Sequence, residues 1–157
     1  MKRIMFVCHG NICRSPMAEF IFKRLLSERG VSEQFFVSSS ATSTEEIYRG
    51  VGNPVYPPAR RILLKHGLDP GDKRAVLLLP EDRDKYDMFI GMDERNISGM
   101  KRILGKGAED KIYKLLSFKG RSETDVPDPW YTGDFDGTYE LIYDGCLALL
   151  DSILDRS

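Results

Sequence analysis

Apolar residues along this chain form short continuous runs that alternate with segments of helical spacing. Residues 3–7 are nearly all apolar after Arg3, which is typical of a strand buried on both faces of a parallel sheet. The following segment begins with Ser15 as an N-cap and Pro16 as first helical residue, and it ends before Gly30. Within this segment apolar residues recur at the spacing of one helix face, at Ala18, Ile21, Phe22 and Leu25. The order strand, loop, helix is therefore predicted for residues 3–30.

The same alternation continues to the end of the chain. Strands are predicted at residues 35–37, 87–92 and 112–116, and helices at residues 59–66, 94–104 and 139–153. Residues 38–58 and 120–133 are predicted loops because they are rich in turn-forming residues, and residues 75–79 fit either a short strand or a buried connector. This pattern predicts a single domain over residues 1–157. Its class is α/β, with a doubly wound four-stranded parallel sheet and helices on both faces.

Charge and hydropathy narrow the classes of function. Lys and Arg number 23 against 24 Asp and Glu, and the net charge of -1 offers no basic excess for nucleic-acid binding. No apolar stretch approaches the ~18 residues of a membrane span, and the apolar run after Arg3 is too short for a signal peptide. We therefore expect no nucleic-acid partner, no membrane partner and no cleaved leader. We expect a cytoplasmic monomer. Secretion by a route that needs no signal peptide stays open.

The three cysteines point to chemistry rather than to a scaffold. Cys8, Cys13 and Cys146 are too few and too unevenly spaced for a disulfide framework. Together with His9 and His66 they do not supply a structural zinc site at finger-like spacing. We therefore expect no metal and no cofactor. Cys146 falls on the apolar stripe of the last helix, which predicts a core position.

Residues 8–15, here called the phosphate loop, carry the candidate chemistry. They join the carboxyl end of the first strand to the first helix, where open α/β sheets bind ligands. Backbone N–H groups of such a loop and the helix dipole can hold a tetrahedral oxyanion, and the same field favours the nucleophilic thiolate of Cys8. Arg14 offers a planar fork of donors for two phosphate oxygens. The sequence therefore predicts a phosphate-binding loop that bears a nucleophile.

Three other residues of the phosphate loop suit this role. Gly10 and Asn11 are residue types that tolerate left-handed backbone angles, which a loop with inward-facing amides requires. Ser15 can donate a hydrogen bond to the thiolate when the thiolate leaves.

The arrangement Cys8-(x)5-Arg14-Ser15 resembles the signature of the low-molecular-weight protein tyrosine phosphatases. The similarity also covers residues 7–19, 37–43, 66–68, 92–94 and 128–131. It implies a cysteine-dependent phosphatase that hydrolyses phosphotyrosine proteins or small aryl phosphates through a phosphocysteine intermediate. By this resemblance Cys8 is the nucleophile, Arg14 binds the phosphoryl group, and Asp128 is the general acid and later the base.

The resemblance also implies which residues contact the substrate and which support the phosphate loop. Asn11, Ser15 and Ser39 would form the supporting hydrogen-bond network. Trp130 and Tyr131 would form walls of a slot for a phenyl ring, with Tyr48 completing it. The substrate-binding set implied in this way is His9, Gly10, Asn11, Ile12, Cys13, Ser15, Trp130 and Tyr131.

Two kinds of alternative stay open. Cys13 is either a small filler under the phosphate loop or a resolving thiol that forms a reversible disulfide with oxidised Cys8. Three other functions fit the same loop: an arsenate reductase, an arginine phosphatase, and a non-catalytic anion-binding or redox module. An arsenate reductase would need two additional cysteines between Cys13 and Cys146. An arginine phosphatase would have a threonine in place of Ile12, and a non-catalytic module would have no need of Asp128.

Overall fold

Four parallel strands form the centre of the computed structural model, which describes residues 1–120 and 124–155. With two strands of a separate hairpin, the described residues contain six strands: β1 (Lys2–Cys8), β2 (Phe35–Ala41), β3 (Ile47–Tyr48), β4 (Val51–Gly52), β5 (Met88–Gly91) and β6 (Ile112–Lys114). The main sheet has the order β2-β1-β5-β6 with every pairing parallel, and β3 and β4 form a separate antiparallel hairpin. The predicted fold class is confirmed.

Helices cover both faces of this sheet. They are α1 (Arg14–Glu28), α2 (Pro57–Lys65), α3 (Glu94–Leu104), α4 (Pro129–Thr132) and α5 (Phe135–Asp155). Because successive side chains of a strand point to opposite faces, β1 contributes to two separate cores. Ile4 and Phe6 join the cluster formed with α1, α2 and α5, whereas Met5 and Val7 join the cluster formed with α3. The continuous apolar run of β1 thus reflects burial on both faces.

Several elements begin or end elsewhere than the sequence predicts, and α1 and β2 show why. Helix α1 begins at Arg14, because Met17 N already donates to Cys13 O at 3.1 Å, so Ser15 lies inside the helix and is not its N-cap. Strand β2 continues past Val37 to Ala41, since it pairs with β1 along its whole length from Phe35 opposite Lys2 onwards. Pairing with a neighbouring strand outweighs the weak strand propensity of three consecutive serines.

The two predicted loops are also more structured than expected. The first contains the β3–β4 hairpin and the start of α2, and residues 75–79 form a connector that touches Ala41 through one bridge at Leu77. In the second, residues 121–123 lie outside the described residues, and residues 129–132 form α4. Strand β6 ends at Lys114 because a 3-10 turn begins at Leu115. Across residues 1–120 and 124–155, the helices are too short or too polar to span a membrane.

Candidate active site

The phosphate loop wraps around the thiol of Cys8 at the carboxyl end of β1. The Cys8 sulfur lies 3.0 Å from Ser15 Oγ, and Asn11 N donates to it at 3.3 Å. Asn11 has a φ of 59°, in the left-handed region that the loop was expected to need, whereas Gly10 lies outside that region. Gly10 has a different constraint, because a Cβ there would come within 3.1 Å of Glu46 Cγ. The thiol is thus held by a main-chain amide and a hydroxyl.

A buried hydrogen-bond network supports the phosphate loop from behind. Asn11 Nδ2 donates to Ser15 Oγ at 2.8 Å and to Ser39 Oγ at 3.0 Å, and Asn11 Oδ1 accepts from Val76 N at 3.0 Å. All three side chains are almost completely buried, so they lie beneath the pocket and do not line it. Asn11 and Ser15 therefore reach a bound anion only through their main chain or through Cys8.

The network continues to an ion pair that the sequence did not suggest. Ser39 Oγ donates to Glu19 Oε1 at 2.6 Å, and Lys73 Nζ donates to Ser39 O at 3.0 Å. The Lys73 ammonium also lies 3.8 Å from Glu19 Oε1. Burial lowers the pKa of Lys73, and the nearby carboxylate of Glu19 opposes this shift. Glu19 lies one helical turn after Ser15 on the same face of α1, which is the sequence signal that would have found it.

The guanidinium of Arg14 is held by three residues from two neighbouring segments. Its Nη1 donates to Asp93 Oδ2 at 2.7 Å and to Val126 O at 2.9 Å, and its Nη2 lies 3.5 Å from Asp128 Oδ2. Burial disfavours the charged form, but the negative charges of Cys8 and Asp93 outweigh it and raise the pKa of Arg14. Arg14 is therefore a permanent, oriented cation at the bottom of the pocket.

The two carboxylates beside Arg14 are also held at helix starts. Asp93 Oδ1 accepts from Asn96 N at 2.8 Å as the N-cap of α3, and Asp128 Oδ1 accepts from Trp130 N at 3.0 Å as the N-cap of α4. No role in the site was predicted for Asp93. Its position after β5, which neighbours β1, places it at the same edge of the sheet as Cys8, and this adjacency was the missing signal.

One pocket brings most of the predicted substrate contacts together. Among the predicted residues, its lining includes Cys8, His9, Gly10, Ile12, Cys13, Arg14, Asp128, Trp130 and Tyr131. Glu45 and Glu46 also line it, and Glu45 Oε2 lies 2.9 Å from His9 Nε2. The expectation for Tyr48 is wrong: its side chain is 73% exposed on the β3–β4 hairpin and does not line the pocket. Tyr56 packs on Trp130 instead, with ring centroids 4.7 Å apart.

The two remaining thiols are buried and protonated. Burial is the largest cause that raises the pKa of Cys13, and the neighbouring Cys8 thiolate raises it further. Cys146 is completely buried on α5, as its place on the apolar stripe predicted, and burial raises its pKa also. All three cysteines are free thiols. Residues 1–120 and 124–155 bring no group of three His, Cys, Asp or Glu side chains into position for a metal ion.

A thiol, a guanidinium and a carboxylate meeting at a loop after the first strand of a parallel sheet define a phosphatase of the Cys-(x)5-Arg type. The chain belongs to the low molecular weight phosphotyrosine protein phosphatase family, whose model matches residues 3–157. It is 37% identical to the low molecular weight protein-tyrosine-phosphatase PtpA of Staphylococcus epidermidis over 154 residues, which cover 98% of this chain and 95% of that protein.

Solved structures agree with this assignment. The crystal structure of YfkJ from Bacillus subtilis has a TM-score of 0.93 at 35% identity, covering 100% of this chain and 97% of that one. A low molecular weight protein tyrosine phosphatase from Streptococcus pyogenes has a TM-score of 0.84 at 37% identity, covering 97% and 93% of the two chains. The YwlE arginine phosphatase has a TM-score of 0.83 at 23% identity, covering 96% and 95%, which shows a shared fold alone.

Proposed function

We propose that this chain hydrolyses phosphotyrosine in proteins, and small aryl phosphates, through a phosphocysteine at Cys8. The observation that carries the proposal is the juxtaposition in one pocket of the Cys8 thiol, the Arg14 guanidinium and the Asp128 carboxyl. Arg14 lies within 3.5 Å of Asp128, so a phosphoryl group bound by the guanidinium is close to both the nucleophile and the acid. These are the groups that a two-step transfer of a phosphoryl group needs.

In the first step the Cys8 thiolate attacks phosphorus, and the bond from phosphorus to the aryl oxygen breaks. Asp128 gives its proton to that oxygen, so a phenol leaves instead of a phenolate. Arg14 and the amides of the phosphate loop stabilise the charge on the three equatorial oxygens.

In the second step a water molecule attacks the phosphocysteine while Asp128, now ionised, takes its proton. Inorganic phosphate leaves and the Cys8 thiolate re-forms. Ser15 Oγ, 3.0 Å from the sulfur, is placed to donate a hydrogen bond to this thiolate.

The walls of the pocket favour an aryl ester over the other substrates considered. Trp130 and Tyr131 stand beside Asp128, where a phenyl ring would lie between them and the phosphate loop. Ile12 adds an apolar side chain to the same lining, where the arginine phosphatase hypothesis asks for a threonine hydroxyl. The arsenate reductase hypothesis still lacks its two cysteines between Cys13 and Cys146.

A peptide panel tests this function. Matched peptides that carry phosphotyrosine, phosphoserine or phosphoarginine are incubated with the enzyme in the presence of a chelator, and released phosphate is measured. We expect hydrolysis of the phosphotyrosine peptide, and none by Cys8→Ser, because a serine hydroxyl is not ionised near neutral pH. Circular dichroism checks that Cys8→Ser keeps its fold. Faster release from phosphoarginine, or a requirement for a divalent ion, would contradict the proposal.

We further propose that residues 1–157 work as one phosphatase domain in the cytoplasm. The larger core cluster draws on residues from Ile4 in the first strand to Leu150 in the last helix, which supports one unit. The free thiols, including the nucleophile, suit a reducing compartment.

A further inference from the structure

Lys114 is a buried cation outside the lining of the pocket, and the mechanism above does not use it. It is the last residue of β6, and only 6% of its side chain is exposed. Its Nζ lies 2.7 Å from Asp125 Oδ1 and 2.7 Å from Glu94 Oε1. Burial disfavours its charged form, but the hydrogen bonds to Asp125 and Glu94 outweigh burial and raise the pKa of Lys114. The ammonium is therefore charged wherever the enzyme works.

The two partners of Lys114 are next to the residues that surround Arg14. Glu94 follows Asp93, which binds Arg14 Nη1. Asp125 lies in the short segment that leads to Asp128, and residues 124–128 are here called the acid loop.

The acid loop has few other anchors before Asp128. Val126 N donates to Met92 O at 2.9 Å, and Val126 O accepts from Arg14 Nη1 at 2.9 Å. These bonds fix the main chain at a single residue. Among the described residues of the acid loop ahead of Asp128, Asp125 alone forms a side-chain ion pair. Its partner is Lys114, a buried cation at the end of β6.

We propose that Lys114 is a positioning residue, which holds the acid loop through Asp125 so that Asp128 faces the leaving oxygen. The inference rests on the proposed function, because it assigns Asp128 the role of acid. A general acid must be within hydrogen-bond reach of the oxygen that it protonates, and small displacements of reacting groups are costly. The two carboxylates are exposed, but the ammonium between them is buried at the end of β6, so it offers Asp125 a fixed point of attachment.

Two conservative variants separate positioning from a general effect of charge. Asp125→Asn and Glu94→Gln each remove one carboxylate from the same ammonium, and both carboxylates lie 2.7 Å from it. Only Asp125→Asn weakens the attachment of the acid loop, because it replaces a charged acceptor of Lys114 by a neutral one. Both residues are partly exposed, so each variant should fold, whereas Lys114→Met risks the sheet itself.

The readout is kcat and KM for aryl phosphates whose leaving phenols differ in acidity. We expect Asp125→Asn to slow an unactivated phenyl ester by about tenfold and a nitrophenyl ester by less than about twofold, with little change in KM. Glu94→Gln should leave both esters within about twofold of the wild type. Equal slowing of all esters by Asp125→Asn, or the same leaving-group dependence in Glu94→Gln, would overturn the proposal.

A double variant completes the test. If Asp125 acts through Asp128, then Asp125→Asn in an Asp128→Asn background should slow the phenyl ester no further. A full additional tenfold loss would mean that Asp125 acts independently of the acid, and the proposal would be wrong. A wild-type enzyme that hydrolyses no aryl ester at all is a different outcome, since that overturns the proposed function first.

Discussion

Asp128 combines two tasks in one side chain, since one carboxylate oxygen caps α4 and the other faces Arg14. Asn is as good an N-cap as Asp, so Asp128→Asn keeps the cap hydrogen bond, while it removes the proton donor and the carboxylate charge that faces Arg14. We expect this variant to slow esters of poorly acidic phenols by about 10²- to 10⁴-fold and nitrophenyl esters far less, because a nitrophenolate leaves without protonation. Substrate binding should hardly change. Rapid-mixing kinetics of phosphoenzyme formation measure the effect, and equal slowing of every ester would show that Asp128 only shapes its loop.

Cys13 shares the pocket with Cys8, and its thiol is protonated because burial and the Cys8 thiolate both raise its pKa. Peroxide converts the Cys8 thiolate to an uncharged sulfenic acid, which removes one of these two causes. We then expect the Cys13 thiol to attack the sulfenic acid, so that a disulfide forms and water is released. A thiol such as dithiothreitol reduces this disulfide and restores activity.

Cys13→Ala tests this hypothesis against the alternative that Cys13 is a filler. After a peroxide pulse the variant should regain less activity than the wild type, since its sulfenic acid can be oxidised further to an irreversible product. Cys146→Ala is the matched control, because it removes a thiol that is buried away from the pocket. Equal recovery in all three proteins would assign Cys13 to packing alone.

At the scale of single residues, spacing predicted the residues that share one short motif, and the family resemblance added Ser39 and Asp128 from elsewhere in the chain. Neither of them indicated Lys73. Cys8, Arg14 and Ser15 are fixed relative to each other by one loop and one helix turn, so their spacing is informative. Lys73 reaches the network from a connector whose path depends on tertiary packing, and nothing in its neighbourhood marks it. The same reason explains why the expectation for Tyr48 was wrong and the contact of Tyr56 with Trp130 was not predicted, since both depend on the path of residues 38–58.

Secondary-structure elements position the site through the edge where the parallel strands end. β1 and β5 are adjacent and parallel, so the residues that follow them, the phosphate loop and Asp93, come together. Alternation of apolar runs and helical spacing was enough to predict the main sheet and its four long helices, but not the β3–β4 hairpin or α4. It was not enough to predict the length of β2, because the three serines 38–40 gain their strand conformation from pairing with β1.

Asp93 links the start of α3 to Arg14, and two substitutions separate these tasks. Serine still accepts a hydrogen bond as an N-cap, whereas alanine does not, and neither supplies a carboxylate to Arg14. We expect both Asp93→Ser and Asp93→Ala to raise KM for aryl phosphates, because Arg14 loses a partner at 2.7 Å. Asp93→Ala should in addition lower the free energy of unfolding by about 1 kcal/mol relative to Asp93→Ser.

Urea unfolding measures this difference, and KM is compared for the same two proteins. If both variants unfold at the same urea concentration, the cap hydrogen bond to Asn96 N contributes nothing to stability. If KM is unchanged in both, Arg14 does not depend on Asp93 for its orientation.

The whole molecule is stabilised by a core that keeps Cys146 completely away from solvent, among apolar residues of α1, α5 and the sheet. Burial raises the pKa of this thiol above its ordinary value of 9.0 in the folded chain. Above about pH 9 the unfolded chain loses this proton and the folded chain retains it. The contribution of Cys146 to stability is therefore complete below pH 9, and it decreases as the pH rises.

Comparing Cys146→Ala with the wild type isolates this effect from the many other groups that titrate at high pH. The free energy of unfolding lost on substitution should be constant below about pH 8.5, and it should shrink by about 1.4 kcal/mol per pH unit above pH 9, because only the wild-type unfolded state gains the thiolate. Urea unfolding under reducing conditions at about pH 7.5, 9.5 and 10.5 measures it. Leu149→Ala, at a completely buried position on the same helix that does not titrate, is the control and should show a constant loss. A loss for Cys146→Ala that also stays constant with pH would mean that the folded chain admits the Cys146 thiolate.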